Sequence, residues 1–267
     1  MLLIFLFLGE RDMKESQNRL GEINYNRYGA KMKIISYKNN VDITVEFLDE
    51  NHHNYKTHTT YQHFKNGGVY SIYDKTVCEI GYIGAVLPKG YNKENSYNVW
   101  HDMLHRCYDE KKQKKCPTYK GCFVCDEWLC YNNFRKWYNK NYYNVKNEIM
   151  QLDKDILIKN NKIYSPKTCV FVPRCINAIF TKRNSDRGNL PIGVTERYGK
   201  YNVVMSATIL GKKGTTSLGC YDNIQDAFMT YKTYKEKYIK EVADTYKDYI
   251  PHKLYNALYH YNVEITD

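Results

Sequence analysis

The stretch that decides the fold of the central region is LDKDILIKNNKIYSPKTCVFVPRCINAIFTK, Leu152 to Lys182. It overlaps a strand-like segment, Met150 to Ile158, in which apolar residues are interrupted by the charged triplet Asp153, Lys154 and Asp155. The polar residues Lys159 to Lys167 follow and include Asn, Ser and Pro, which favour turns. The first half of the stretch therefore predicts a strand and then a loop.

The second half of the stretch predicts another strand and a helix. Cys169 to Val172 is a short apolar run rich in β-branched and aromatic residues, which is typical of a strand, and Pro173 ends it. Between Arg174 and Lys182, the apolar side chains of Ile176, Ile179 and Phe180 recur at helical spacing. The predicted order is strand, loop, strand, helix.

This order resembles the ββα-metal finger of HNH endonucleases, and more closely a phage-type group of HNH-like proteins. In such a finger an Asp on the first strand holds a divalent metal, the next residue is a His that activates water, and a His or Asn on the helix completes the metal site. The resemblance implies Mg²⁺ or Mn²⁺ at Asp153 and Asn177. It places Lys154 where the family has its His.

The identity of the general base stays open. A Lys side chain has an ordinary pKa near 10.4 and takes a proton from water only if burial or a neighbouring cation lowers that pKa. Lys154 is therefore one candidate, and the carboxylate of Asp155 is the other. The alternative interpretation is that Asp153, Lys154 and Asp155 form a solvated charged turn.

Two amphipathic helices are predicted before the finger. Trp100, Met103, Leu104 and Cys107 share one helical face, and Glu127 to Tyr138 carries aromatic residues at three- and four-residue spacing. The charged run between them, Asp109 to Lys115, is predicted as a solvated loop. The patterns WxxMxxRC, VCxxW, FxxW and LDKD are similar to the phage HNH-like group in order and spacing; they begin at Trp100, Val124, Phe134 and Leu152.

The nine cysteines show no paired spacing typical of a disulfide framework, which favours a reducing cytosol. Four of them fall within nineteen residues and are candidate ligands of a structural Zn²⁺: Cys107, Cys116, Cys122 and Cys125. Cys122 and Cys125 have the two-residue spacing that lets two thiolates reach one zinc ion. The alternative is that these cysteines are small core residues.

The N-terminal region is predicted as a small antiparallel β-domain, residues 20–85, preceded by a tail or upstream extension, residues 1–19. Met32 to Ser36 and Val41 to Phe47 alternate apolar and polar residues around a turn at Asn39 and Asn40. No helix is predicted here. Met1 to Leu8 is apolar but too short to span a membrane, so we expect no membrane partner.

The C-terminal region is predicted as a three-stranded sheet followed by a helix, residues 188–243. Strands are expected at Tyr201 to Ile209 and Thr215 to Cys220, with a basic turn at Gly211 to Gly214 and a helix after Asp222. The pattern resembles the Apetala-two-type (ethylene-response-factor) DNA-binding domain, in which the sheet lies in the major groove. Residues 244–267 are predicted to include a short docking helix after Pro251.

Cations near the finger and on the predicted sheet are the candidate DNA contacts, because arginine pairs with guanine and lysine mostly positions phosphate. They are Arg174, Lys182, Arg183, Arg197, Lys200, Lys212 and Lys213. The alternative is that they are ordinary surface residues. The strand tryptophans of the plant domain are absent, so its sequence preference is not carried over.

The chain has 267 residues, with 40 Lys and Arg against 29 Asp and Glu, a formal net charge of +11. Such an excess favours a polyanionic partner, most simply double-stranded DNA. The sequence therefore predicts a cytoplasmic α+β protein, in the host cell if phage-encoded, with an N-terminal β-domain, an HNH-like domain at residues 97–183 and a C-terminal DNA-binding domain.

The function expected from the resemblance is metal-dependent cutting or nicking of duplex DNA. The first alternative is an inactive HNH-like protein that binds DNA or inhibits host machinery, which the substitution at Lys154 favours. The second alternative is an RNA-binding protein, which the charge and the 28 tyrosines would also suit.

Overall fold

The structure, a computed structural model, describes residues 19–181, 188–209 and 212–267; the side chains of residues 206–209 and 212–213 are outside the description. The chain is a mixed α+β protein with several small sheets. It divides into two compact units, Met1–Pro88 and Lys89–Asp267, which are described separately. Most of the predicted tail, residues 1–18, lies outside the described residues, as do Lys182 and Arg183.

The first unit contains a four-stranded antiparallel sheet in the order β1-β2-β3-β4. Its strands are β1 (Ile23–Tyr25), β2 (Lys31–Asn39), β3 (Asp42–Phe47) and β4 (Lys56–Thr59). The predicted hairpin forms, with Asn39 opposite Asp42. Alternate side chains of β2 and β3, among them Ile34 and Val45, are fully buried, as the period of a strand requires.

One short helix in this unit shows that the expectation of no helix was wrong. Helix α1 (Tyr61–Lys65) begins after Thr60, whose side-chain oxygen accepts a hydrogen bond from the backbone N–H of His63 at 3.2 Å. Phe64 is fully buried in the core of the sheet. The cap at Thr60 and the buried side chain of Phe64 determine this helix. Its five residues are too few to show a periodic pattern in the sequence.

The second unit begins with four helices, α2 (Asn95–Tyr108), α3 (Glu110–Lys115), α4 (Asp126–Leu129) and α5 (Tyr131–Asn141). The predicted face of α2 is buried. The loop predicted at Asp109 to Lys115 is wrong, because the Asp109 carboxylate accepts the backbone N–H of Lys112 at 2.6 Å and caps α3. The single helix predicted at Glu127 to Tyr138 is interrupted at Cys130, which has extended backbone angles.

The strand, loop, strand, helix order predicted from the quoted stretch is present in residues 150–179, called the finger below. Strand β6 (Met150–Asp153) pairs antiparallel with β8 (Val170–Pro173), and α6 (Arg174–Ile179) follows directly. Within the loop, β7 (Ile163–Tyr164) pairs in parallel with β5 (Phe123–Val124). That pairing fastens the loop to the segment between α3 and α4.

The C-terminal part is a three-stranded antiparallel sheet with two helices. The strands are β9 (Val194–Arg197), β10 (Lys200–Ile209) and β11 (Lys212–Tyr221), in the order β11-β10-β9, and the helices are α7 (Ile224–Tyr246) and α8 (His252–Tyr259). The predicted basic turn was placed too far along, since residues 212–214 belong to β11. The predicted docking helix is confirmed as α8, with Leu254 and Leu258 buried.

The finger and the C-terminal sheet, predicted as separate domains, share one hydrophobic core. Val172 and Ile176 of the finger belong to the same buried cluster as Val203 of β10 and Tyr231 of α7. Gly193 lets β9 lie against α7, because a Cβ at this residue would come within 2.0 Å of the Tyr231 ring. The finger therefore rests on the sheet and its helices. Within the described residues, no helix is both long and apolar enough to cross a membrane.

Candidate active site

A cleft of about 680 Å³ opens over the finger. Its floor is formed by the end of β6, the following loop and α6, and its walls include Arg106 of α2 and Tyr261 beyond α8. Five of the residues predicted for the site line this cleft: Asp153, Lys154, Asp155, Arg174 and Asn177. The folded chain thus brings together residues up to 155 positions apart in the sequence, from Arg106 to Tyr261.

Asp153 ends the first strand of the finger. One of its carboxylate oxygens accepts the backbone N–H of Asp155 at 2.8 Å and that of Ile156 at 2.7 Å. An aspartate side chain that bonds to the backbone two residues ahead forms a turn. The strand therefore stops at Asp153, and the prediction that it continues to Ile158 was wrong.

Burial and a like charge act on Asp153. Burial raises the pKa of its carboxyl to about 6, the charge of Asp155 acts in the same direction, and the two backbone N–H donors oppose both effects. At neutral pH the group is largely ionised, and two carboxylates lie close together in a partly dry cleft. A divalent cation would relieve that repulsion.

Lys154 is held by an ion pair. Its side chain is only 8% exposed, and its Nζ lies 3.0 Å from a carboxylate oxygen of Asp155. Burial alone would lower the pKa of this amine, but the hydrogen bond and charge of Asp155 outweigh burial, and the pKa is raised. Lys154 therefore stays protonated, which is contrary to the role of a base; it neutralises Asp155 instead.

Asn177 lies on α6 in the same cleft. Its amide nitrogen donates to the side-chain oxygen of Gln151 at 2.8 Å, which leaves the amide oxygen as the atom that can bind a cation. Carboxylate and amide oxygens are the donors that Mg²⁺ and Mn²⁺ prefer. Asp153 and Asn177 therefore fit such an ion by their chemistry.

The cysteines do not form a described metal site. In the described ranges, no group of three or more His, Cys, Asp or Glu side chains is arranged to hold a metal ion. Cys107 and Cys122 are buried, and no disulfide joins any of the nine cysteines, all of which lie in the described ranges. Burial raises the pKa of Cys125, which disfavours the thiolate that zinc requires. Among the described residues, no group of ligands is therefore arranged to bind the zinc ion expected at Cys107, Cys116, Cys122 and Cys125.

Several cleft residues were missed by the sequence analysis, among them the cations Arg106 and Lys162. Arg106 forms an ion pair with Asp102 and lies over the ring of Tyr119, with its guanidinium carbon 5.4 Å from the ring centroid. Lys162 donates to the backbone oxygen of Thr118 at 3.3 Å. Arg106 is the Arg of the WxxMxxRC pattern, so the pattern could have identified it as a candidate site residue. Both cations suit a phosphate backbone.

The other predicted DNA contacts lie outside the cleft or outside the description. Arg197 and Lys200 are exposed at the turn between β9 and β10, and Lys200 pairs with Asp222 at 2.9 Å. Between them Tyr198 is fully exposed with a φ of 52°, which is unusual for a bulky residue. The strands carrying Lys212 and Lys213 are described, but their side chains are not.

Lys235 of α7 fastens the end of the finger helix. It is buried, and its Nζ donates to the backbone oxygen of Ile179, the last residue of α6, at 2.9 Å. Burial lowers the pKa of this amine to about 8. A protonated Lys235 therefore costs folding free energy at neutral pH.

We expect this cost to appear as a pH dependence of stability. Because the folded pKa is lowered, the unfolded chain binds the extra proton between about pH 8 and 10.4, and the free energy of unfolding rises with pH in that window. The rise contributed by Lys235 totals about 3 kcal/mol. We expect urea unfolding at pH 7.5, 8.5 and 9.5 to show that the free energy of unfolding of the wild type rises relative to that of Lys235→Met as pH increases. Lys237→Met, at an exposed position of α7, is the control, and its free energy of unfolding should change with pH as that of the wild type does. Equal pH slopes for the wild type and Lys235→Met would show that Lys235 does not produce this pH dependence.

The comparisons with known proteins give no relative. No protein-family model matches the chain, and no curated protein and no solved structure matches it. The residues of the cleft and the resemblance in sequence patterns are therefore the basis for any inference about function.

Proposed function

We propose that this chain is a DNA-binding protein of the phage-type HNH endonuclease class that hydrolyses a phosphodiester of duplex DNA with one divalent ion, Mg²⁺ or Mn²⁺. The observation that carries the proposal is the cleft shared by Asp153 and Asn177. The first residue ends the leading strand of a strand, loop, strand, helix unit, and the second lies on its helix. This layout resembles that of a ββα-metal finger.

Each polar residue has a role in this reaction. Asp153 and Asn177 would hold the ion, which when bound polarises the phosphate and stabilises the departing 3′ oxygen. The carboxylate of Asp155 accepts the proton of the attacking water. Lys154 holds that carboxylate in the cleft through their 3.0 Å ion pair.

Cations around the cleft support duplex DNA as the substrate. Arg106, Lys162 and Arg174 line it, and the chain carries a net charge of +11. At the turn between β9 and β10, Arg197 and the fully exposed Tyr198 suit a contact with DNA away from the cleft. Contacts to the phosphate backbone give affinity without sequence information. We place the reaction in the cytoplasm of a phage-infected host cell.

The test is nicking of supercoiled plasmid by the purified chain. We expect conversion to the relaxed form with Mg²⁺ or Mn²⁺, and none when a chelator is present. Competition between duplex DNA and single-stranded RNA in a binding assay distinguishes this function from that of an RNA-binding protein, which would prefer the RNA. The slope of affinity against salt concentration counts the phosphate contacts.

One observation favours a second candidate, a DNA-binding protein with an inactive finger that acts as a regulator or an inhibitor of host machinery. None of the described residues that line the cleft is a histidine, and the position of the expected base is held by a protonated lysine. This protein would bind duplex DNA tightly and leave it intact with every divalent ion.

A further inference from the structure

The C-terminal segment Tyr261–Asp267, called the strap below, is fixed to the rim of the cleft. The Nζ of Lys159, in the loop after β6, donates to the backbone oxygen of Asn262 at 3.0 Å and to a carboxylate oxygen of Asp267 at 2.8 Å. Asp267 is buried, with 5% of its surface exposed. One lysine of the finger thus holds both ends of the strap.

Helix α7 holds the middle of the strap. Lys232 donates to the backbone oxygen of Val263 at 2.7 Å, and the Glu236 carboxylate accepts the backbone N–H of Val263 at 2.8 Å. Lys232 and Glu236 form an ion pair at 2.8 Å, and Val263 is buried. Paired and partly buried charges of this kind fix a backbone segment better than isolated surface contacts do.

The strap places Tyr261 in the wall of the cleft. Its ring packs against Phe180, with 4.7 Å between the ring centroids, and the Nζ of Lys159 lies 5.3 Å from its centroid. Burial and the carboxylates of Asp267 and Asp155 raise the pKa of the phenol, so its hydroxyl remains a neutral donor. Within the described part of the chain, that hydroxyl has no hydrogen-bond partner.

We propose that Tyr261 contacts the substrate, its hydroxyl donating a hydrogen bond to a non-bridging oxygen of the phosphate that the cleft receives. The inference rests on the proposed function. Asp153 and Asp155 repel a phosphodiester, whereas a fixed neutral donor beside them attracts it and stabilises the charge that develops on its oxygens during attack. The strap is thereby part of the active site.

The test is Tyr261→Phe, which keeps the ring packing and removes only the hydroxyl. We expect kcat/KM for plasmid nicking to fall at least about tenfold, because hydrogen bonds to charged groups are the stronger ones. Tyr259→Phe is the matched control: it removes the same group from a residue of α8 that stacks on Tyr255 and does not line the cleft. The urea midpoint of both variants should equal that of the wild type. A Tyr261→Phe variant that nicks at the wild-type rate overturns the inference.

A second readout separates this inference from the proposed function. The affinity for a short duplex is measured with chelator present, so that no cleavage occurs. We expect Tyr261→Phe to weaken binding about threefold or more and Tyr259→Phe to leave it unchanged. If the wild type never nicks DNA, the proposed function fails, and only the binding comparison tests the Tyr261 contact. Weaker binding of the duplex by Tyr261→Phe than by the wild type supports the contact, and equal binding overturns it.

Discussion

Replacing Asp153 with asparagine is expected to reduce metal-dependent nicking by a factor on the order of 10³, since a bound metal ion supplies several kcal/mol of transition-state stabilisation. The carboxylate is the charged ligand of the proposed ion, and an amide holds a divalent cation far less well. The measurement is the initial rate of plasmid relaxation in Mn²⁺. Asp248→Asn, an exposed carboxylate of the same unit, is the control and should keep the wild-type rate.

Loss of folding would not explain that result. In the variant Asp153→Asn, the oxygen of the new side-chain amide can accept the same two backbone N–H groups, so the turn after β6 is kept. Because the pKa of Asp153 is raised to about 6, the folded chain binds more protons than the unfolded chain between about pH 4 and 6, and stability falls as pH rises through that window. The ionised carboxylate thus costs stability at pH 7, and Asp153→Asn should unfold at a higher urea concentration. A variant that nicks as fast as the wild type would remove Asp153 from the mechanism.

The largest expected effect on stability comes from Trp100→Ala. Trp100 is fully buried in α2, packs 5.3 Å from the ring of Tyr131 between centroids, and donates its indole N–H to the backbone oxygen of Trp128 at 2.7 Å. The variant leaves a large cavity and an unpaired buried carbonyl. We expect the free energy of unfolding to fall by about 4 to 6 kcal/mol.

That loss is a large part of the roughly 5 to 15 kcal/mol that stabilises a typical domain. Urea unfolding followed by tryptophan fluorescence and circular dichroism measures it. Trp100→Phe keeps an aromatic ring and loses the hydrogen bond, so it should fall between the wild type and the alanine variant. A loss below about 1 kcal/mol for Trp100→Ala would show that α2 does not organise this core.

Periodic segments were predictable from the sequence. The buried face of α2 and the docking helix α8 follow from apolar residues at helical spacing, and the hairpin of β2 and β3 follows from alternation around two asparagines. These patterns extend over enough residues for the buried face to be read directly. The order of the finger was predictable for a different reason, since turn-forming residues and Pro173 separate its short apolar runs.

The starts of two short helices and the end of one strand were not predictable, because a single side chain decides each of them. Thr60 starts α1, Asp109 starts α3, and Asp153 ends β6 by capturing two backbone N–H groups. In the sequence, a polar residue in a charged run is equally compatible with a helix cap and with a solvated loop. Only the folded backbone distinguishes the two.

The residues of the cleft were predictable in part. Asp153, Asp155 and Asn177, which the resemblance singled out, lie together in it, but the ion pair that keeps Lys154 protonated depends on burial by the folded chain. Arg106 and Tyr261 reach the cleft from distant parts of the sequence. Tyr261 has no local pattern that marks it, since its position depends on Lys159, Lys232 and Glu236.

The most direct measurement is the fate of an end-labelled DNA duplex incubated with the wild type and with Asp153→Asn in Mn²⁺, with binding recorded on the same samples. We expect new strand ends that carry a 5′-phosphate and a 3′-hydroxyl, formed by the wild type alone, because attack by water expels the 3′ oxygen. Duplex that is bound by the wild type and stays intact with Mg²⁺ and Mn²⁺ would rule out the proposed hydrolysis and favour a DNA-binding protein with an inactive finger.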